Sequence, residues 1–139
     1  MHFIGDLHQP LHCAERDHDR GGNDLDVVLL GERGWTLHKV WDSGLIAQAG
    51  LSQNKYVEKL SRWLRDQNVA RMSAGTPADW ANEAHAFAVT HAYRTPTDRD
   101  VRNYAKLDAR YVAAGIDVVD QQLARAGVRL AAVLNTALQ

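Results

Sequence analysis

The C-terminal part of the sequence decides the fold, because residues 108–138 read DARYVAAGIDVVDQQLARAGVRLAAVLNTAL. Apolar residues recur there every three to four positions, as on the buried side of a helix that packs against a core. The residues on this side are Ile116, Val119, Leu123, Leu130 and Leu134. The segment therefore predicts one long helix in a mainly α fold.

Helical spacing also occurs upstream of this segment. Three further helices are predicted over residues 38–49, 52–68 and 76–91. Residues 1–8 predict the end of another helix, which Pro10 stops because proline cannot continue the hydrogen-bond pattern. Residues 25–37 predict the one exception, a short β-hairpin with a glycine-containing turn.

The composition is typical of one soluble globular domain over residues 1–139. Of these residues 45% are hydrophobic and 24% are charged. No stretch approaches the roughly 20 apolar residues of a membrane span, so no membrane partner is predicted. With 16 basic and 17 acidic residues the net charge is −1, which excludes general electrostatic attraction as the means of binding a polyanion. Cys13 is the single cysteine and cannot form an intrachain disulfide.

Histidine and aspartate residues are grouped in the first 42 positions in a pattern that suits a metal ion. His2 and Asp6 are four residues apart, which places both side chains on one face of a helix. His38 and Asp42 repeat this spacing, and His12 lies between the two pairs. Imidazole and carboxylate groups are zinc ligands, and two histidines with one aspartate leave a coordination position open. Such a pair is also common as a surface hydrogen bond, so spacing alone leaves both interpretations open.

The other candidate residues have simpler structural interpretations. His8 lies on another helical face than the ligand candidates, which favours an orienting hydrogen bond or core packing. Phe3 is expected to lie beside the ligands as an apolar neighbour, Cys13 to be an unreactive thiol, and Asn23 to order a glycine-rich loop. The remaining residues are His18, His85 and His91, interpreted as loop, packing or surface residues, and Trp35, Trp41, Trp63 and Trp80, interpreted as core.

Five motifs resemble those of a known enzyme family. HFIGDLHQPLH (2–12), GGN (21–23) and HKVWD (38–42) resemble the H-F-x-x-D-x-H-Q-P-x-H, G-G-N and H-x-x-W-D signatures of the S1/P1 nucleases. WANEAH (80–85) and AGVRLAAVLN (126–135) are similar to that family's W-x-x-E helix and A-G-x-R-L-A-x-x-L-N ending. The resemblance covers essentially the whole chain, and two ligand-bearing motifs in the right order make it specific.

The resemblance implies a fold, a cofactor and a reaction. The fold is the helical phospholipase C/nuclease fold with three zinc ions, of which His2 binds one ion of a close pair and Asp6 bridges that pair. His12, His38 and Asp42 hold the third ion, the one complete ligand set expected here. The implied activities are those of an endonuclease, which hydrolyses single-stranded DNA or RNA to 5′-phosphate products, and of a 3′-nucleotidase, which releases phosphate from 3′-nucleotides.

The family's pattern also includes a part that this sequence does not match. The resemblance is to the C-terminal half of the family, whereas further zinc ligands and other catalytic groups are expected upstream. The catalytic residues beyond the metal ligands therefore stay unknown, and impaired activity is expected of the chain by itself. The absent half is also expected to leave the apolar stripe of Trp80, Phe87 and Ala88 uncovered and prone to self-association.

Two other functions compete with the nuclease. The zinc phospholipase C branch of the superfamily has a ligand pair that resembles H-x-x-x-E, whereas His38 is followed here by Asp42. The other alternative is a non-catalytic helical fragment that binds about one zinc ion and self-associates. The resemblance to exported nucleases implies a secreted or periplasmic location.

Overall fold

The computed structural model describes residues 2–138, so that Met1 and Gln139, the ends of the predicted domain, lie outside the described residues. Helix α1 (His2–Asp6) leads to a 3-10 turn (Pro10–Cys13), and a loop then reaches strands β1 (Asp26–Leu29) and β2 (Glu32–Thr36). Helices α2 (Leu37–Lys39) and α3 (Leu45–Gln48) are joined by a π-helical turn, Val40–Gly44. Helices α4 (Gln53–Leu64), α5 (Val69–Ser73) and α6 (Pro77–Phe87) follow, and α6 continues into a second π-helical turn, Ala88–Ala92. Strand β3 (Ala105–Leu107) and helix α7 (Ala109–Ala137) complete the order.

The predicted mainly α fold is confirmed, and capping side chains explain where its helices begin. Asp108 accepts hydrogen bonds from the backbone N–H groups of Arg110 and Tyr111, both at 3.0 Å, and so starts α7. Thr76 and Asp79 form a reciprocal capping box at the start of α6. Although α7 is 29 residues long, no helix among residues 2–138 has the length and apolar character needed to cross a membrane.

The helix predicted over residues 52–68 is shorter than expected. Helix α4 ends at Leu64, and α5 starts at Val69. The side chain of Asn68 accepts a hydrogen bond from the backbone N–H of Arg71 at 3.0 Å, so it caps a new helix instead of ending the old one.

The predicted hairpin is confirmed and belongs to a three-stranded sheet. Strand β1 pairs antiparallel with β2 on one side, with Val27 opposite Trp35. On its other side β1 pairs parallel with β3, with Val27 opposite Ala105. Strand β3 is only three residues long and lay in a region for which the sequence pattern predicted no strand. The sheet order β2-β1-β3 makes β1 the central strand, which is why Val27 and Leu29 are buried.

The core lies between this sheet and helix α7. Trp41 is buried, and its indole N–H donates a hydrogen bond of 2.9 Å to the hydroxyl of Tyr111 on α7. That hydroxyl in turn donates to the carbonyl of Ala92 at 2.7 Å. The helix that contains Trp41 is therefore attached to α7 by a fully satisfied buried polar chain as well as by apolar contact.

Several expectations about aromatic residues are wrong. Trp63 is 38% exposed on α4 instead of lying in the core, and Phe3 is 66% exposed, so it gives the ligand candidates no apolar cover. The apolar stripe expected to be uncovered is not exposed, because Trp80 and Ala88 are buried within the chain and Phe87 packs against its core. These three residues therefore do not form the predicted self-association patch.

Candidate metal centre

Three of the predicted ligand residues meet at one place on the surface. His12 Nε2 lies 3.2 Å from Asp42 Oδ1, and His38 Nε2 lies 3.4 Å from Asp42 Oδ2. The two imidazole rings stack, with centroids 5.1 Å apart and planes inclined by 20°. One donor atom from each residue lies within 4.8 Å of the other two. We call His12, His38 and Asp42 the donor cluster.

Two separate segments supply the donor cluster. His38 and Asp42 lie one turn apart, His38 on α2 and Asp42 in the π-helical turn that follows it. His12 comes from the 3-10 turn, which is anchored by buried Pro10 and Leu11. Pro10 begins this turn after α1 has ended at Asp6, and the turn directs the chain so that His12 faces the second segment.

A backbone carbonyl orients the His38 ring. His38 Nδ1 donates a hydrogen bond of 2.8 Å to the carbonyl oxygen of Gly21, which leaves Nε2 free on the side of Asp42. Gly21 has a φ of +63°, and a Cβ atom there would lie 2.5 Å from the carbonyl oxygen of Leu11. Only glycine fits this position without strain, which explains the glycine pair that precedes Asn23. Asn23 donates to the carbonyl of Arg20 at 2.9 Å, as its loop-ordering interpretation predicts.

An amide side chain orients the Asp42 carboxylate. Gln9 Nε2 donates a hydrogen bond of 2.8 Å to Asp42 Oδ1, while Gln9 Oε1 accepts from the backbone N–H of Leu11. Both ends of the amide are therefore used, which fixes its orientation. Sequence reasoning did not single out Gln9 as a site residue, although it belongs to the H-Q-P part of the first motif.

The first predicted pair lies beside the donor cluster. His2 Nε2 and Asp6 Oδ2 are 3.2 Å apart on α1, and Asp6 Oδ1 lies 3.9 Å from His12 Nδ1. The side chain of His2 is 93% exposed, and Asp6 is its one charged neighbour in the described residues. Asp6 thus reaches toward the donor cluster, whereas His2 extends into solvent.

His8, His85, His91 and Cys13 have structural environments of their own, whereas His18 is exposed in a loop. His8 is buried, and its Nδ1 donates to the carbonyl of Ile4 at 2.7 Å, which confirms the hydrogen-bonding interpretation. Burial lowers the pKa of His8 and raises the pKa of the Cys13 thiol, so both are held in their neutral forms. His85 donates to the carbonyl of Cys13 at 2.9 Å, and His91 packs on the ring of Phe87.

The geometry and the motifs agree with a comparison against known families, in which the S1/P1 nuclease model matches residues 1–139. The chain belongs to the S1/P1 nuclease family. Endonuclease 2 of Arabidopsis thaliana is 31% identical to it over 96% of the chain and 48% of that protein. Nuclease S1 of Aspergillus oryzae is 28% identical over 97% of the chain and 51% of that protein. Nuclease P1 of Penicillium citrinum is 29% identical over 97% of the chain and 54% of that protein. The chain spans about half the length of these curated relatives.

The donor cluster of this S1/P1 family member fits a zinc ion. Zinc ligands at 2.0–2.2 Å in a tetrahedral arrangement are separated by about 3.4 Å. Here His12 and His38 lie 3.2 and 3.4 Å from the two different oxygens of Asp42, and one donor atom from each residue lies within 4.8 Å of the other two. Two neutral imidazoles and one carboxylate are a donor set that zinc prefers and that leaves one position open.

A cavity of about 200 Å³ opens directly beside the donor cluster. Its polar side is formed by Asp6, Gln9 and the donor cluster residues His12 and Asp42. Its apolar side is formed by Ile46, Val119 and Leu123. The open side of the site therefore faces a space of mixed polarity between α3 and α7.

Proposed function

We propose that this chain provides one zinc site of a phosphodiester-hydrolysing enzyme that acts on single-stranded DNA or RNA and on 3′-nucleotides. The observation that carries the proposal is the donor cluster, in which His12, His38 and Asp42 converge from two segments. Family membership supports it, because the relatives are named as nucleases and endonucleases. We further propose that the whole protein is exported, as the family resemblance implies.

The chain's own residues prepare the proposed site before any ion arrives. His12 and His38 supply imidazole nitrogen donors, and Asp42 supplies a carboxylate oxygen donor. Gln9 and the Gly21 carbonyl hold two of these three groups in orientation. A zinc ion held by these residues would supply a Lewis acid for a phosphoryl oxygen. Its charge would attract phosphate locally although the net charge of the chain is −1.

The proposed stoichiometry is one zinc ion per chain. Within residues 2–138 the donor cluster is the one group of three histidine, cysteine or acidic donors close enough to share an ion. His2 and Asp6 contribute two further donors at its side, which is fewer than a zinc site needs. We propose that these two residues belong to a neighbouring site whose other ligands come from outside the chain.

Zinc content tests the metal site directly. The chain is dialysed exhaustively, and zinc per chain is measured by elemental mass spectrometry for the wild type, His38→Ala and the control His18→Ala. His18 lies in an exposed loop outside the donor cluster. We expect about one zinc ion in the wild type and the control, and none in His38→Ala. A wild type without zinc, or a His38→Ala variant that retains it, contradicts the proposal.

Cleavage tests the catalytic half of the proposal. A single-stranded oligonucleotide is incubated with the zinc-loaded chain, with and without a chelator, and the products are analysed for 5′-phosphate ends. Chelator-sensitive cleavage that His38→Ala lacks supports nuclease activity of this chain. Zinc binding without cleavage instead supports the non-catalytic alternative, in which the chain is a metal-binding portion of a nuclease.

A further inference from the structure

A closed ring of hydrogen bonds and ion pairs joins His8 to helices α6 and α7. Glu83 binds Arg129 through two hydrogen bonds of 2.9 and 3.1 Å, and Arg129 Nη1 donates to the ring nitrogen Nε2 of His8 at 2.8 Å. The carbonyl of His8 accepts from Gln122 Nε2 at 3.2 Å. Gln122 Oε1 accepts from Arg125 Nη1, which also lies 3.4 Å from Glu83. We call these five residues the polar ring.

The polar ring holds His8 at two points. The imidazole is bound by Arg129, and the backbone carbonyl is bound by Gln122. The other ring nitrogen, Nδ1, donates to Ile4 on α1. His8 thereby connects α1 to helix α7, and it lies in the middle of residues 6–12, which we call the donor segment because they include Asp6, Gln9 and His12.

Arg129 is the central member of the polar ring. Its side chain is 5% exposed, and its Nε also donates to the carbonyl of Met72 at 3.0 Å. Its guanidinium carbon lies 5.1 Å from the centre of the Trp80 ring. A buried ion pair is weak evidence for stability, because well-packed apolar residues often stabilise a core as well. The specific geometry of the contacts indicates a role in placement.

Helix α7 also holds the segment that carries the other two donors. A Cβ atom at Gly115 would lie 2.8 Å from Leu45 Cδ1, so α3 packs against α7 at very short range. Leu45 follows directly on the π-helical turn that contains Asp42. Gly115 therefore sets the position of one donor-carrying segment on α7, and the polar ring sets the position of the other.

We propose that Arg129 is a positioning residue for the metal site, acting through His8 on the donor segment. This role accounts for two sequence motifs, around Glu83 and Arg129, that the proposed chemistry does not use. The inference rests on the proposed function in that it takes the donor cluster to bind zinc. Without Arg129, the donor segment loses one of its attachments to α7, and His12 is placed less precisely against the other two donors.

The test compares Arg129→Met with the control Tyr56→Phe, which also removes a side-chain hydrogen bond between α7 and another segment. Tyr56 donates a hydrogen bond of 2.6 Å to Asp120 and so attaches α4 to α7 away from the donor cluster. Zinc affinity is measured by competition with a chromophoric chelator, and folding is followed by circular dichroism. We expect Arg129→Met to weaken zinc binding about 10-fold, as the loss of an orienting contact does. Tyr56→Phe is expected to leave zinc affinity unchanged even where it lowers the melting temperature.

A second measurement does not need the metal. Amide hydrogen exchange in the presence of chelator is expected to become faster in residues 2–12 of the Arg129 variant and to stay unchanged in β1 and β2. If Arg129→Met does not fold, Arg129→Lys replaces it, because lysine keeps the charge but cannot form the forked contacts to Glu83 and His8 together. A folded Arg129 variant with wild-type exchange in residues 2–12 and wild-type zinc affinity overturns the inference. A wild type that binds no zinc contradicts the proposed function instead, and exchange still decides the positioning role.

Discussion

The two His-x-x-x-Asp pairs of this chain have the same spacing and almost the same internal distance, yet they lie in different surroundings. His2 and Asp6 are 3.2 Å apart, and His38 and Asp42 are 3.4 Å apart. The side chain of His2 is 93% exposed, whereas that of His38 is 17% exposed. Spacing on a helix therefore brings histidine and aspartate together in both places.

The difference comes from residues that are distant in sequence from the second pair. The Gly21 carbonyl holds His38, the Gln9 amide holds Asp42, and His12 stacks on the His38 ring. Within residues 2–138, Asp6 is the only side chain that forms an ion pair with His2. A preorganised donor set thus requires groups that fix each ligand's orientation, in addition to the ligands themselves.

The largest expected loss of zinc affinity comes from replacing Asp42, and replacing Asp6 is expected to cause a much smaller loss. Asp42→Asn removes the anionic donor of the cluster and is expected to weaken zinc binding more than about 100-fold, above the range for a lost orienting contact. Asp6→Asn leaves all three donors in place and is expected to weaken binding far less. Chelator competition on both variants checks this. If the two variants lose the same zinc affinity, Asp42 is not a more important zinc ligand than Asp6.

Glycine substitution tests how the loop holds His38. Gly21→Ala places a Cβ atom against the Leu11 carbonyl in a residue with a left-handed backbone conformation. That conformation alone costs a non-glycine residue about 1–2 kcal/mol. Because of the added clash, we expect the free energy of unfolding to fall by more than this amount. Gly21→Ala is also expected to weaken zinc binding. Gly31→Ala is the control, because Gly31 has a φ of +92° with nothing within 4 Å of a Cβ atom.

Chemical denaturation and chelator competition on both glycine variants provide the measurement. The control Gly31→Ala is expected to lower the free energy of unfolding by the cost of the left-handed conformation and to leave zinc affinity unchanged. If Gly31→Ala and Gly21→Ala lose the same stability and bind zinc equally well, the Gly21 loop does not orient His38.

The contact between Gln9 and Asp42 is expected to have an intermediate effect. Gln9→Leu removes the amide donor to Asp42 Oδ1 and is expected to weaken zinc binding about 10-fold. Gln48→Leu, at an exposed position on α3, is the control for adding a leucine to the surface. Zinc titration in the presence of a competing chelator measures both. A Gln9→Leu affinity that equals the control shows that Asp42 is oriented by its other neighbours.

The smallest expected effect on zinc affinity comes from the N-terminal cap of α6, which lies outside both His-x-x-x-Asp pairs. Thr76→Ala removes the side chain that accepts from the Asp79 backbone N–H and is expected to lower the free energy of unfolding by about 1 kcal/mol. Zinc affinity is expected to stay unchanged, since α6 supplies no donor. Denaturant unfolding with and without zinc measures both quantities. A loss of zinc affinity in this variant shows that global stability, rather than orientation, controls the site.

Local signals explain what the sequence predicted well. Thr76 with Pro77 specifies a helix start from neighbouring residues. Gly31, with a φ of +92°, indicates the hairpin turn, which consists of Leu30 and Gly31 because β2 already begins at Glu32. Strand β3 has no such signal, because three residues pair in parallel with β1 only after the tertiary fold has placed them there. The two π-helical turns likewise have no pattern that distinguishes them from ordinary helix.

In the candidate site, too, local signals predicted some contacts, whereas contacts that depend on the tertiary fold were not predicted. Helical spacing suggested the contact of His38 with Asp42, and the break at Pro10 suggested that His12 turns toward it. The exposure of Phe3 could not be predicted, because it depends on which side of a five-residue helix faces the rest of the chain. The partners of His8 could not be predicted either, since no local rule relates a histidine to an arginine far along the chain.

The contact between His8 and Arg129 spans 121 positions of sequence. All five candidate ligands precede residue 43, so they leave the ribosome before Arg129. At a synthesis rate of about 5–20 residues per second, Arg129 follows Asp42 by roughly 4 to 17 seconds. During that interval the nascent chain carries its donors without the arginine that binds His8. The contact between His8 and Arg129 can therefore form only after helix α7 has been synthesised, well after the donor residues themselves.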